Sequence, residues 1–415
     1  MRDFKNYKNC FIQLICKNFA LVSPLISPES FRKIGYNPIT AICEVIDNSI
    51  DAQAKNIDIK FEWCEKKSRT KFRSVKKFVF IDDGNGMDEK SIVSFFTVGN
   101  SSQNQKGELK KFGGGAFLAG LSQARRIEVF SKIKGGKWCY SFYDLDIVDQ
   151  EFQVPMVAKP VLKEPPKEFL KSLKHGTVVV WNNVDNFEFK ENHVFPPEKT
   201  NHVKPLDIHD EEILSTEISR IYRKFLADKK IHHGKIVHNN KIKIKIQNVE
   251  IEPYDPLYLS FNPKKDDESP KMVSQDLKID GPYGPTKIWI TFSFFPKSWW
   301  RDILHPGLDL INRIERKIGT RNDGVSIVRE GRELFFGIMP CIIKESKAMD
   351  RFLGIEIEFF ADSDDNFGIG INKSNFKIHK EICKRISQYL KPTIEENHKY
   401  FQKCRNDYLK ERYRK

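Results

Sequence analysis

The chain has 415 residues, 40% of them apolar and 30% charged, a composition that suits about two folded domains and excludes a disordered or low-complexity polymer. Lys and Arg number 70 against 56 Asp and Glu, a formal net charge of +14, and this excess points to a polyanionic partner. No apolar run reaches the length that spans a bilayer, and Gln13 and Lys17 interrupt the early apolar stretch that a secretory leader would need.

In chain order, the first strong signal runs from Ala41 to Ala52. Read as a helix, it sets Glu44, Asn48 and Asp51 at i, i+4 and i+7 on one stripe, while Ile42, Val45, Ile46 and Ile50 cover the remaining circumference. An exposed helix face would carry such a stripe too. A carboxylate followed one turn later by an amide also suits a general base beside a metal-bound phosphate. Ile57 to Trp63 alternates as a half-buried strand does. The connection from Lys60 to Lys77 holds eight basic residues against Glu62 and Glu65. Lys77 to Ile81 then runs apolar into Asp82-Asp83-Gly84-Asn85-Gly86-Met87. A buried strand ending in Asp-x-Gly-x-Gly delivers a carboxylate to a pocket floor and lets the backbone turn tightly beside a ligand. Further on, Lys110-Lys111-Phe112-Gly113-Gly114-Gly115-Ala116-Phe117 reads as a glycine run opening a helix, whose unpaired N–H groups and positive dipole end suit a polyphosphate. Next, His175-Gly176-Thr177 leads the β-branched run Val178-Val179-Val180-Trp181.

These motifs, in this order, make the chain resemble the GHKL ATPases, the superfamily of gyrase B, the Hsp90 chaperones, histidine kinases and the MutL mismatch-repair proteins. The resemblance implies an α+β fold in which a GHKL (Bergerat) ATP-binding sandwich takes ATP and Mg2+. It implies that Glu44 is the general base, that Asn48 holds the magnesium, and that Asp51 belongs to the same binding stripe. Asp82 would read adenine, with Gly84, Gly86 and Met87 as its companions. Gly113, Gly114, Gly115, Ala116 and Phe117 would form the phosphate lid, and Thr177 would sit near the base pocket. One departure is visible: Lys110 stands where many relatives begin the lid with a glycine.

Beyond a polar, proline-bearing stretch from about Asn182 to Asp210, Glu212 to Leu226 reads as a helix. Lys241 to Ile246 alternates strictly, and Lys287 to Phe292 and Phe352 to Phe360 read as further strands. Gly324 to Leu334 reads as a strand, a turn and a second strand start. From Asn375 to about Tyr408 the pattern turns helical and basic. The expected organisation is an ATPase domain over 1–185, a linker over 186–210, a transducer domain over 211–395 and a basic C-terminal helix or tail over 396–415. In GHKL machines that couple nucleotide to shape, the second position holds a transducer with the ribosomal-protein-S5-like fold. Gly368-Ile-Gly370-Ile371-Asn372-Lys373-Ser374-Asn375-Phe376 is similar to the Asn-Lys-x-x-Phe element of the MORC family, and that resemblance makes Lys373 the cation that contacts the terminal phosphate.

The eight cysteines include no close Cys-x-x-Cys pair, so neither a zinc site nor a disulfide framework is expected, and a cytoplasmic setting (nuclear in a eukaryote) fits. The resemblance implies a dimerising, slowly hydrolysing ATPase that acts as a switch or clamp on DNA without sequence preference, in genome or anti-invader defence. The segment Lys8 to Phe19 would be a strap between protomers. Two other outputs stay open: an Hsp90-like protein-remodelling chaperone, or an ATP-binding regulatory subunit working beside a partner subunit.

Overall fold

The computed structural model describes residues 32–33, 35–64, 75–96, 114–148, 155–157, 159–170, 173–187, 210–259, 269–296, 324–343, 350–370 and 376–413. Gly113, Lys373, the segment Lys8 to Phe19 and five cations of the basic connection (Lys66, Lys67, Arg69, Lys71 and Arg73) lie outside those residues. The chain divides into two compact units, Met1–His193 with Ile242–Ile251, and Val194–Lys241 with Glu252–Lys415.

The first unit carries helix α1 (Pro38–Asp51). Its start is set locally by a reciprocal cap: the Thr40 N–H donates to Asn37 Oδ1 at 2.9 Å and the Asn37 N–H to Thr40 Oγ1 at 3.0 Å, with Pro38 in the first turn. Strands β1 (Asn56–Trp63) and β2 (Val75–Asp82) follow, then the short helix α2 (Glu89–Phe95) and helix α3 (Gly115–Gln123). Next come β3 (Ala124–Lys132), β4 (Cys139–Val148), β5 (Pro155–Val157), β6 (Val161–Leu162) and β7 (Gly176–Val184). With β10 (Lys243–Ile246) and β11 (Val249–Glu250) these strands form one mixed nine-stranded sheet, in the order β11-β10-β1-β2-β7-β3-β4-β5, with β6 also on β4. β10 pairs with β1 in parallel, from Asn56 opposite Lys243 to Ile59 opposite Ile246. The strictly alternating strand therefore belongs to the first unit, although in sequence it follows the start of the second.

β2 and β7 are covered on both faces, which is why their central residues form unbroken apolar runs. Val79, Ile81, Val178 and Val180 pack with Phe130, Trp138, Tyr140 and Phe169 on one side. Phe78 and Phe80 pack edge-on against Trp181 on the other, with Trp181 fully buried. Gly120 of α3 permits the close packing on that side, because a Cβ there would come 2.6 Å from Trp181 Nε1 and 2.8 Å from Ile127 Cδ1. Gly120→Ala is accordingly expected to destabilise the first unit by about 1–3 kcal/mol through overpacking. A thermal or urea melt that matches the parent protein would contradict this packing.

The second unit carries α4 (Asp210–Ile221) and α5 (Arg223–Leu226), so the single helix expected here breaks at Tyr222 (φ −103°). Hairpin β8 (Lys229–His232) and β9 (Lys235–His238) stands apart as a two-stranded sheet. Strands β12 (Lys271–Gly281), β13 (Gly284–Phe294), β14 (Val325–Arg329), β15 (Arg332–Gly337) and β16 (Leu353–Phe359) form a five-stranded sheet in the order β12-β13-β16-β14-β15. Helix α6 (Lys380–Tyr413) follows. Glu330 and Gly331, at φ 50° and 84°, make the tight turn between β14 and β15, where both central residues of the hairpin need the left-handed region.

β16 alternates between two buried environments. Ile355, Ile357 and Phe359 join the core that takes Ile382, Ile386 and Leu390 of α6. Glu356 and Glu358, at 1% and 2% exposure, face the other way. There Lys224 Nζ lies 2.7 Å from Glu356 and 2.9 Å from Glu358, and Arg223 bonds Glu356 and Glu333, each at 2.6 Å. These buried ions sustain one another, and losing one partner strands the others.

Candidate active site

Helix α1 carries the polar stripe. Glu44 is buried at 5% exposure, while Asn48 and Asp51 are half-buried at successive positions of the same face. Ile42, Val45 and Ile46 are buried and hold the helix in place, and α1 packs against α3. Glu44 meets the start of α3: a Cβ on Gly115 would lie 2.6 Å from Glu44 Oε2. Gly114, the residue before the helix, takes a left-handed φ of 79° and supplies no side-chain cap. The first-turn N–H groups of α3 have no intrahelical partner, and the positive end of its dipole stands at the Glu44 carboxylate. Ala116 and Phe117 turn their side chains into the core, Phe117 packing edge-on against Phe96 and Tyr143. Only their backbone N–H groups can serve a ligand.

The second cluster gathers at the end of β2, one turn further along α1. Asp82, Thr177 and Ser131 are direct cross-strand neighbours on β2, β7 and β3, so their side chains share one face of the sheet. Ser49 of α1 donates its hydroxyl to Asp82 Oδ2 at 3.0 Å, and the Gly84 N–H donates to Asp82 Oδ1 at 3.0 Å. Ser131 Oγ lies 2.9 Å from Thr177 Oγ1, donates to the Gly176 carbonyl at 3.1 Å, and accepts the Met87 N–H at 2.8 Å. Burial pushes the Asp82 carboxyl up to about 6, against the Gly84 N–H and the Ser49 hydroxyl, which both hold it down. The site thus contains a carboxylate whose charge is costly until a donor meets it.

The glycines are required by contact as well as by conformation. Gly86 has φ 71°, and a Cβ there would come 2.0 Å from the Lys132 carbonyl oxygen. At Gly84 a Cβ would meet the Ala52 carbonyl oxygen at 2.8 Å and Asp82 Oδ1 at 2.9 Å. Asp83 fastens the turn from beneath by accepting the Lys55 and Asn56 N–H groups at 2.7 and 2.8 Å. His175 Nδ1 lies 2.8 Å from the Gly84 carbonyl oxygen and ties the motif to the strand that bears Thr177.

The structure therefore brings Glu44 to Gly114, Gly115 and the start of α3, and it brings Asp82, Gly84, Gly86, Met87 and Thr177 together along one end of the sheet. Asn48 and Asp51 lie on the helix that joins the two groups. Asp83 and His175 lie inside the motifs read from the sequence but carry no role there, and Ser49 and Ser131 are not marked by sequence at all. Single serines carry no periodic signal, and their partners depend on strand register.

Residues 36–177 match the family model described as histidine kinase-, DNA gyrase B- and HSP90-like ATPase. This match supports the GHKL superfamily for that segment, and with it ATP as the bound nucleotide; the large mixed sheet is consistent with that fold. No curated protein matches the chain. Among the described residues no helix is long and apolar enough to cross a membrane.

Proposed function

We propose that this chain is a Mg2+-dependent ATPase that works as an ATP-driven dimerising switch on DNA, in the manner of a minimal MORC-like protein. The observation that carries the ATPase reading is the Glu44 carboxylate set against the first residue of α3, at the positive end of that helix, with the Asp82 cluster joined to α1 through Ser49 just over one turn further along. A terminal phosphate beside the α3 N–H groups would place its attacking water within reach of Glu44 as general base. Asp82 would accept the adenine amino group, with Thr177 and the Gly84–Met87 turn shaping the base pocket.

Among the described residues no group of three His, Cys, Asp or Glu side chains could hold a metal by itself. Mg2+ takes most of its ligands from phosphates and water and needs only one or two protein oxygens. Asn48, half-buried one turn from Glu44, would supply that oxygen. Bound there, Mg2+ would neutralise phosphate charge. Glu44 and the helix end orient the reacting groups, and the glycine-rich segment closes over them. From the sequence element Asn372-Lys373-Ser374-Asn375-Phe376 we assign the second unit to the S5-like transducer and Lys373 to the terminal-phosphate contact.

Charge supports the DNA reading. The chain has an excess of 14 positive charges, and on α6 the basic residues Lys399, Lys403, Arg405 and Lys410 are all exposed. Light scattering on Glu44→Gln protein, with and without Mg-ATP and duplex DNA, tests the switch. ATP is expected to convert monomer to dimer. DNA affinity should fall with salt at roughly 0.9 log units per phosphate contact. A monomer under every condition would overturn the dimerising switch, and a salt slope near zero would move the output to a protein partner.

A further inference from the structure

Two cysteines far apart in sequence share one contact in the second unit. Cys341 and Cys383 are separated by 42 positions, and their sulfurs lie 2.7 Å apart. The contact is built into the core rather than left to a loose loop. Cys341 sits in the turn after β15, where the Ile342 and Ile343 N–H groups both donate to the Met339 carbonyl at 2.8 Å. Its neighbour Ile342 is buried in the same apolar cluster as Ile378, Ile382, Cys383 and Ile386. Cys383 lies in the first turn of α6, where its N–H donates to the His379 carbonyl at 3.0 Å. Both backbones are held by hydrogen bonds, the turn by buried Ile342 and the helix by buried Ile382 and Ile386. The sulfurs meet because the turn and the helix pack on one core.

The exposures of the two differ. Cys341 is open to solvent while Cys383 is buried at 4% exposure. Burial, together with the neighbouring Cys341, pushes the Cys383 thiol up to about 12, so Cys383 stays protonated and Cys341 is the sulfur that meets a dissolved oxidant.

We propose that Cys341 and Cys383 are a reversible redox pair, closed to a disulfide by a hydroperoxide and reopened by a thiol reductant. In the first step the Cys341 sulfur attacks the peroxide, giving a sulfenic acid and water (or an alcohol). In the second the Cys383 sulfur attacks the Cys341 sulfur, the S–O bond breaks, and the departing hydroxide leaves as water with the Cys383 proton. Two thiols and one hydroperoxide thus yield one disulfide and two neutral oxygen products. Reduction by a dithiol returns both thiols and oxidises the reductant. The bond would tie the turn after β15 to the first turn of α6. This proposal does not depend on the ATPase reading.

Full-length protein treated with hydrogen peroxide, then alkylated after unfolding and mapped without reduction, reads the pair directly. A cross-linked peptide joining Cys341 to Cys383 is expected, together with a Tm raised by roughly 5–15 °C, and both should vanish with dithiothreitol. Cys341→Ser, a change at an exposed site, should keep Cys383 alkylatable after peroxide and abolish the Tm shift. Oxidation of Cys341 to sulfinic acid with Cys383 still free, or a cross-link from either cysteine to any other, would overturn the proposal.

Discussion

Glu44→Gln is expected to lower ATP turnover by about 10²- to 10⁴-fold, the range lost with a general base, while nucleotide affinity changes little. Gln is the informative substitution because it keeps the volume that fills the space beside Gly115 and removes only the charge and the basicity. The charge itself has some structural worth at the positive end of α3, on the order of 1 kcal/mol, so a small loss in Tm should accompany the loss of turnover. Steady-state hydrolysis and calorimetry with Mg-ATP separate the two effects. Affinity falling as far as rate would make Glu44 a structural anion rather than the base. In the same assay Lys373→Ala should bind ATP nearly normally and hydrolyse it slowly, and full activity in that variant would sink its assigned role.

Asp82→Asn should change stability and affinity in opposite directions. With the folded value raised from 3.8 to about 6, the folded protein holds more protons than the unfolded chain between those pH values. Stability from this group is therefore greatest at low pH and declines as pH rises through the window, by about 3 kcal/mol in all. Near neutral pH the ionised carboxylate strains the free protein, and Asn relieves it. An Asn amide can still accept the Gly84 N–H and donate to Ser49 Oγ. The variant should consequently melt higher at pH 7, by up to about 3 kcal/mol of stability. Yet it should bind ATP more weakly, because a hydrogen bond to a charged acceptor is worth about 1.5–3 kcal/mol, roughly 10- to 150-fold in affinity. The parent protein should also lose ATP affinity as pH falls below about 6, where the carboxyl holds its proton and no longer accepts freely. Calorimetry near that pH, in buffers of different ionisation heat, should register proton release on binding. Affinity and base preference unchanged in Asp82→Asn, or an affinity profile flat from pH 5 to 7, would remove Asp82 from adenine recognition.

What the sequence determined by itself was local. Period-two alternation placed β1 and β10, and apolar runs placed β2 and β7, because a strand's burial pattern is written in its own residues. The stripe of Glu44, Asn48 and Asp51 followed from helical spacing alone, and the turn at Glu330 and Gly331 from its chemistry. The glycines of Asp82-x-Gly-x-Gly were legible as a motif, although the atoms that require them, such as the Lys132 carbonyl against Gly86, were not. Alternation says which side of a strand is buried, never what covers it. β16 reads as a simple strand, but only packing against α5 shows that its buried acids are matched by Arg223 and Lys224. Register decided that Thr177 stands between Asp82 and Ser131, and that Ser49 reaches across to Asp82. The parallel pairing of β10 with β1 and the meeting of Cys341 with Cys383 were likewise decided only in three dimensions. Contacts between residues distant in the chain depend on strand order and helix packing, which a one-dimensional pattern does not encode.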